Sequence, residues 1–335
     1  MQAIQPRVAL VTPSRTYVMP DDAGKLDLER LEVCAEVLEA LSFRVVRTSG
    51  GFRNHRQFGG TDEERAAEFN SFLLDPGIDL VLPVRGGYGM ARILPKLRFP
   101  EIALRKPLAM GFSDFTAFNL ALFAKTGLPS WQGPLAGGLA PGHTSPVSQR
   151  NFLRALSSDT WDLAWDQAGE PISAGVKGTL WGGNLSILVS LLGTPYFLKP
   201  EQVRGGILFL EDVGEPPYRI DRMLTQLLKS GVLGRQGAVV LGDFSGVDRH
   251  LRGEGDLRFG DVVSYFRAKL SHAGIPVLAG LPFGHTKELT AIPFGVEAEL
   301  EASSSGSARL ISGSVPAISR GREVLEAALS SIERV

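Results

Sequence analysis

The stretch IDLVLPVRGGYGM, residues 78–90, joins an almost unbroken apolar run to a loop with three glycines. A strand with one wet face alternates apolar and polar residues. A run without alternation suits a strand covered on both faces, as in a parallel sheet between two layers of helix. Upstream, RVALVTP (7–13) and RVVRT (44–48) read as strands, and LDLERLEVCAEVLEALSF (26–43) has the apolar spacing of a helix. TDEERAAEFNSFLLD (61–75) opens on Thr61, a good N-cap, followed by acidic residues that suit a helix N-terminus. Downstream, MARILPKL (90–97) reads as a short helix, KPLAMGF (106–112) as a strand, and FTAFNLALFAKTG (115–127) as a helix closed by Gly127. This rhythm predicts an α/β fold whose N-terminal part is an open, mainly parallel sheet flanked by helices.

The pattern changes after about residue 142. HTSPVSQRNFLRALSSDTWDLAWDQAGEP (143–171) is polar and turn-rich, with a short helix and two tryptophans, and is expected to connect two domains. Beyond it, strands are expected at GILFLED (206–212), GAVVLGDF (237–244), PVLAGLP (276–282), AELEAS (298–303) and ARLIS (308–312). Helices are expected at NLSILVSLLG (184–193), RIDRMLTQLLKSG (219–231) and DVVSYFRAKLSHAG (261–274), with a closing helix in SRGREVLEAALSSIERV (319–335). The expected organisation is an N-terminal α/β domain over 1–145, a connection over 146–175 and a C-terminal mixed α/β domain over 176–335.

Composition narrows the partners. A formal net charge of −1 gives no reason to expect nucleic acid or an anionic membrane surface. No apolar run reaches the roughly 20 residues of a membrane span. The start, MQAIQPRVALVTPS, lacks the features of a secretory signal, so a cytoplasmic protein is expected. The single cysteine, Cys34, precludes an internal disulfide and a multi-cysteine metal site. Its helical spacing with Leu31, Leu38 and Leu41 reads as a buried core thiol. No H-E-x-x-H or comparable ligand cluster is present, so no metal is expected.

In open α/β sheets ligands gather beyond the carboxyl ends of the strands, and the informative loops lie there. RGGYG, Arg85 to Gly89, can form a nest of N–H groups for a carboxylate, a phosphate or an oxyanion; it can equally be a tight strand–helix turn. GFSD, residues 111–114, sets Ser113 between a strand and a helix, as in a nucleophile elbow. Phe115 stands where that motif has its second glycine, and Ser113 or Asp114 can also be a simple helix cap. A nucleophilic serine needs a base and a group to orient the base. His55 and His250 lie in polar loops, His143 in the connection, and His272 near a helix C-terminus; His285 ends a strand and Pro/Gly turn, PVLAGLPFGH. The strand GILFLED runs straight into Glu211 and Asp212, either of which can orient an imidazole, cap a helix or pair with Arg219 or Arg222; Asp221 and Arg222 suit bracing the loop.

RGGYGMARILPKL, GFSDFTAFNLAL, GGNLSILVSLLGTPY, LFLEDVGEPPYRIDRMLTQL and PVLAGLPFGHTKELTAIPFG occur in that order. Together they resemble the LD-carboxypeptidases, also called murein tetrapeptide carboxypeptidases, over nearly the whole chain. The resemblance implies a serine carboxypeptidase of peptidoglycan recycling that needs no cofactor. It implies a triad of Ser113, His285 and Glu211. It also implies an oxyanion hole of backbone amides, which Gly86 or Gly87 and Asp114 match, and a cation or nest for the terminal carboxylate, for which Arg85 and Arg222 are candidates. The serine comes from the first domain and the other two from the second, so the resemblance places the site in the cleft between them. It implies a murein peptide as substrate, a cytoplasmic location and a homodimer. Trp131-Gln132-Gly133-Pro134 departs from the family, in which many members have a histidine before Gly-Pro. A sister branch resembles immunity proteins that cleave aminoacyl-nucleotide antibiotics with the same triad.

Overall fold

Strands β1 (Arg7–Val11), β2 (Arg44–Val46) and β3 (Leu80–Pro83) pair in parallel, in the order β2-β1-β3. The computed structural model describes residues 4–17, 29–140, 142, 145–253 and 255–334, with backbone alone at Arg30, Ser49 and His250. Residues 26–28 of the first expected helix, His143 and the side chain of His250 lie outside the described residues. All of β3 is buried, as its unbroken apolar run requires. The segment expected as a strand at 106–112 extends this layer by single bridges, Val81 with Ala109 and Met110 with Trp131 of β4 (Ser130–Gln132). Pro107 has no N–H to add to a ladder and the chain leaves it at Gly111, which limits the pairing.

The chain divides into two compact units: Met1–Asp159 with Lys287–Ile292 and Pro316–Val335, and Thr160–Thr286 with Pro293–Val315. In the first unit, helix Asp62–Leu74 carries a full capping box, Thr61 bonding reciprocally with Glu64. It brings Phe69 against Phe118 of helix Thr116–Thr126, with ring centroids 4.8 Å apart. Phe115 lies 5.0 Å from Phe118 and completes a buried aromatic cluster. Cys34 is fully buried on helix Glu29–Ala40. Residues 146–157 form a helix of this unit, and the closing helix Arg322–Ile332 is held to it by Arg154–Glu333, Arg322–Asp159 and the Arg320–Asp79 ion pair.

The second unit is built on a seven-stranded mixed sheet. Its strands are β5 (Trp161–Asp166), β6 (Ala174–Asn184), β7 (Ile207–Glu211), β8 (Ala238–Leu241), β9 (Val277–Ala279), β11 (Val296–Ala302) and β12 (Ser307–Ser312); β10 (Ile292–Phe294) lies where the two units meet along the chain. The order is β5-β12-β11-β6-β7-β8-β9, parallel from β6 to β9 and antiparallel from β5 to β6. Sequence reading missed β6, the longest strand, because Gly175, Gly178, Gly182 and Gly183 depress strand propensity. Two of those glycines admit neighbouring backbone: a β-carbon on Gly178 would lie 2.4 Å from the Gly205 carbonyl oxygen, and one on Gly182 (φ +144°) 1.8 Å from that of Phe209. The helix after β6 is correspondingly short, Leu185–Ser190. No helix among the described residues is long and apolar enough to cross a membrane.

Candidate active site

In the first unit, Ser113 opens a tight 3-10 turn, Ser113–Phe115, that runs into helix Thr116–Thr126. Its φ is +59°, the left-handed region that side chains other than glycine adopt at a cost of about 1–3 kcal/mol. Such strain persists where the surroundings over-determine it, and here the cause is visible. Phe115 is held in the aromatic cluster, and Gly111 must stay bare because a β-carbon there would meet the Phe115 ring at 2.7 Å and Pro83 at 2.9 Å. The chain therefore turns sharply at Ser113, whose carbonyl accepts the Thr116 N–H and which is left half-buried.

The glycine loop lies beside this turn. A β-carbon on Gly86 would sit 3.1 Å from Ser113 Oγ and 3.6 Å from the Asp114 amide nitrogen. Gly87 and Gly89 both have positive φ, +103° and +133°, so the loop needs their freedom. Gly87 packs on Arg15, and the Arg85 Nη1 reaches the Thr16 carbonyl at 3.4 Å. The Asp114 side chain is buried and its Oδ2 accepts from the Met90 N–H at 2.8 Å. Burial pushes its pKa up, against the Ser14 hydroxyl, the Met90 and Gly89 amides and the charge of Arg65. Sequence reading gave the Asp114 side chain no role beyond a possible helix cap and placed only its backbone amide at the oxyanion.

In the second unit, Glu211 ends β7 fully buried. Its Oε2 lies 2.8 Å from His285 Nδ1, and its Oε1 accepts from Asn184 Nδ2 at 3.0 Å. The close approach needs Gly284: at φ +137°, a β-carbon there would lie 2.9 Å from Asp243 Cβ and 3.2 Å from Glu211 Cβ. Burial works against the imidazolium, but the Glu211 hydrogen bond and charge, with Asp212 and Asp243 behind it, hold the His285 pKa above its ordinary value. Asp212 bonds instead to the Ser186 and Val213 amides, and burial lifts its pKa to about 6. Asn184 went unassigned in the sequence, although GGNLSILVS carried it. Its oxygen caps the following helix at Ile187 while its amide serves Glu211 and Asp212.

The other candidates have surroundings of their own. Arg219 pairs with Glu215 at 2.5 Å, and Arg222 is exposed without an ion pair or hydrogen bond among the described residues. His55 is exposed, and His272 is an exposed helix cap whose Nδ1 meets the Ala268 carbonyl. The structure thus brings together Ser113, Gly86 and Asp114 within the first unit, and Glu211 and His285 within the second.

Comparison with known proteins gives this geometry its setting. Residues 8–133 match the LD-carboxypeptidase N-terminal domain and residues 177–300 the LD-carboxypeptidase C-terminal domain. The chain belongs to the LD-carboxypeptidase family. It is 33% identical over 309 residues to the murein tetrapeptide carboxypeptidase of Pseudomonas aeruginosa, covering 90% of this chain and 94% of that one. The crystal structure of muramoyltetrapeptide carboxypeptidase from Oxalobacter formigenes is similar with a TM-score of 0.80 and 34% identity, over 92% of this chain and 99% of that one. A microcin self-immunity protein of Escherichia coli is 27% identical over 79% of this chain and 83% of its own length. This LD-carboxypeptidase is therefore an enzyme, a serine-type carboxypeptidase of the hydrolase class, with the α/β architecture of its relatives.

Proposed function

We propose that this LD-carboxypeptidase releases the terminal D-alanine of murein tetrapeptide through an acyl-enzyme formed on Ser113, in peptidoglycan recycling. The observation that carries the reading is the 2.8 Å contact of His285 Nδ1 with the buried Glu211 carboxylate. With Nδ1–H donated to Glu211, the lone pair is at Nε2, the tautomer a general base needs. His285 Nε2 takes the Ser113 proton as Oγ attacks the carbonyl between the L-centre and D-alanine. The oxyanion is met by the amides of Gly86 or Gly87 and Asp114, a kind of contact worth about 3–4 kcal/mol per donor in the transition state. Nε2–H then protonates the departing amine of D-alanine, and water, deprotonated by the same nitrogen, releases the tripeptide. Arg85 and Arg222 are the proposed partners of the terminal carboxylate. These steps call for no metal or cofactor. A cytoplasmic homodimer completes the reading, in line with the family resemblance.

The likeness to the microcin self-immunity protein favours a second reading, hydrolysis of aminoacyl-nucleotide antibiotics by the same residues. Incubation with murein tetrapeptide and with an aminoacyl sulfamoyl adenosine, side by side, followed by mass spectrometry, separates the two. Loss of one alanine from the tetrapeptide supports the first reading. Cleavage of the nucleotide conjugate with an unchanged tetrapeptide overturns it.

A further inference from the structure

The peptide bond between Gly89 and Met90 is gripped at both ends. Its carbonyl oxygen accepts from Arg65 Nη1 at 3.0 Å, and its N–H donates to Asp114 Oδ2 at 2.8 Å. Both side chains are buried, Arg65 and Asp114 each 1% exposed. The same Arg65 nitrogen also bonds the Pro13 carbonyl after β1, and Nη2 meets Asp62 at 2.5 Å. The Phe58 ring lies 4.8 Å from the guanidinium and closes this side from water. A cation on the carbonyl and an anion on the N–H polarise the peptide in the same sense, so each bond strengthens the other. Buried charges are costly unless they find partners: Arg65 finds Asp62 and the Pro13 and Gly89 carbonyls, while Asp114 finds the Met90 N–H with Oδ2 alone, its buried Oδ1 having no hydrogen-bond partner among the described residues. Gly89 is required for the fit: a β-carbon on it would lie 2.9 Å from Phe58 and 3.0 Å from Arg65 Nη1.

We propose that Arg65 and Asp114 are positioning residues that lock the glycine loop, and with it the amides of Gly86 and Gly87, in register with Ser113. The inference rests on the reading of Ser113 as nucleophile. Asp114 follows that serine directly, so the carboxylate ties the serine's own turn to the loop that flanks it. A loop released from this clamp would still bind peptide, but its amides would no longer be held where the oxyanion forms. The loss then falls on kcat and leaves KM nearly alone.

The test compares Asp114→Leu, Asp114→Asn and Arg65→Lys, each checked for folding by near-UV circular dichroism. Turnover of murein tetrapeptide is measured with the affinities for a peptide boronate, which mimics the tetrahedral intermediate, and for the product tripeptide. Asp114→Leu is expected to lower kcat and boronate affinity together by about 30- to 100-fold, with KM and tripeptide affinity within about threefold. Asp114→Asn keeps an oxygen that can accept from Met90 and is expected to retain at least about a tenth of the parent kcat. Arg65→Lys cannot bridge two carbonyls and Asp62 with one fork, and is expected to lose about tenfold; it carries the test if Asp114→Leu does not fold. A folded Asp114→Leu or Arg65→Lys protein with parent kcat overturns the proposal, as does a fall in tripeptide affinity equal to that in boronate affinity. Ser113→Ala, run alongside, keeps the two levels distinct. Parent-rate turnover by that variant sinks the nucleophile reading itself, whereas an inactive Ser113→Ala beside fully active clamp variants sinks only the clamp.

Discussion

His285 Nδ1 and Glu211 Oε2 are 2.8 Å apart although 74 residues separate them in the chain, and the carboxylate has no exposure to solvent. A buried carboxylate whose other oxygen is already satisfied by Asn184 has one direction left in which to act, toward the imidazole.

Replacing Glu211 by Gln removes the charge that raises the His285 pKa. The acid limb of the kcat/KM profile, where His285 must lose its proton to act as base, is expected to move to lower pH. In the proposed mechanism kcat falls by about 10²- to 10⁴-fold, because the orienting group is damaged but the base remains. The stability consequence has the opposite sense in pH. A raised histidine pKa stabilises the fold below the ordinary value of 6.5, and that contribution is lost as pH rises through the folded-state pKa. Parent and variant should therefore differ most in urea denaturation below pH 6.5 and converge only as pH rises through the raised folded-state pKa. A pH–rate profile that does not move in Glu211→Gln contradicts the assignment.

Gly284→Ala tests the turn that delivers His285. A β-carbon there meets Asp243 and Glu211 and forces a strained φ, so a loss of about 1–3 kcal/mol of stability is expected. Activity should fall further than stability, since the imidazole is displaced from Glu211. Nuclear magnetic resonance of the His285 ring protons, compared between parent and variant, reports that displacement directly.

Asp212 carries a stability signature of its own. Burial raises its pKa from 3.8 to about 6. The folded state therefore holds a proton that the unfolded chain releases, and stability is full below pH 3.8 and declines as pH rises to about 6. The shift corresponds to a change on the order of 2–3 kcal/mol. The difference in unfolding free energy between parent and Asp212→Asn, followed across this range, should tilt toward the variant as pH increases. A pH-independent difference would show that Asp212 ionises like a solvent-exposed carboxylate.

Ser113 separates chemistry from strain. Ser113→Ala and Ser113→Gly both remove the hydroxyl, and both are expected to lower kcat by about 10⁵- to 10⁶-fold while folding normally. Only glycine relieves the +59° φ, so Ser113→Gly should exceed Ser113→Ala in stability by about 1 kcal/mol. Equal stabilities in guanidinium denaturation would mean that the turn relaxes when the hydroxyl is gone.

Local patterns in the chain were enough for the two sheets in outline. The unbroken apolar run of β3 can be satisfied only with both faces covered, and Thr61 with Glu64 announces a helix start through bonds between residues three apart. Glu211 was legible for the same reason, as a carboxylate placed where an apolar strand stops. β6 was not, because its glycines look unlike a strand until the backbone of Gly205 and Phe209 is seen pressed against Gly178 and Gly182. Nor were Asn184 and Arg65, whose partners lie 27 and 24 residues away at Glu211 and Gly89. What the amino-acid order determined by itself were contacts decided within a few residues: periodicity, caps and turns. What only the tertiary structure decided were pairings between buried polar groups, since a charge taken out of water must find its partner in three dimensions, and no spacing along the chain encodes which peptide or carboxylate that will be.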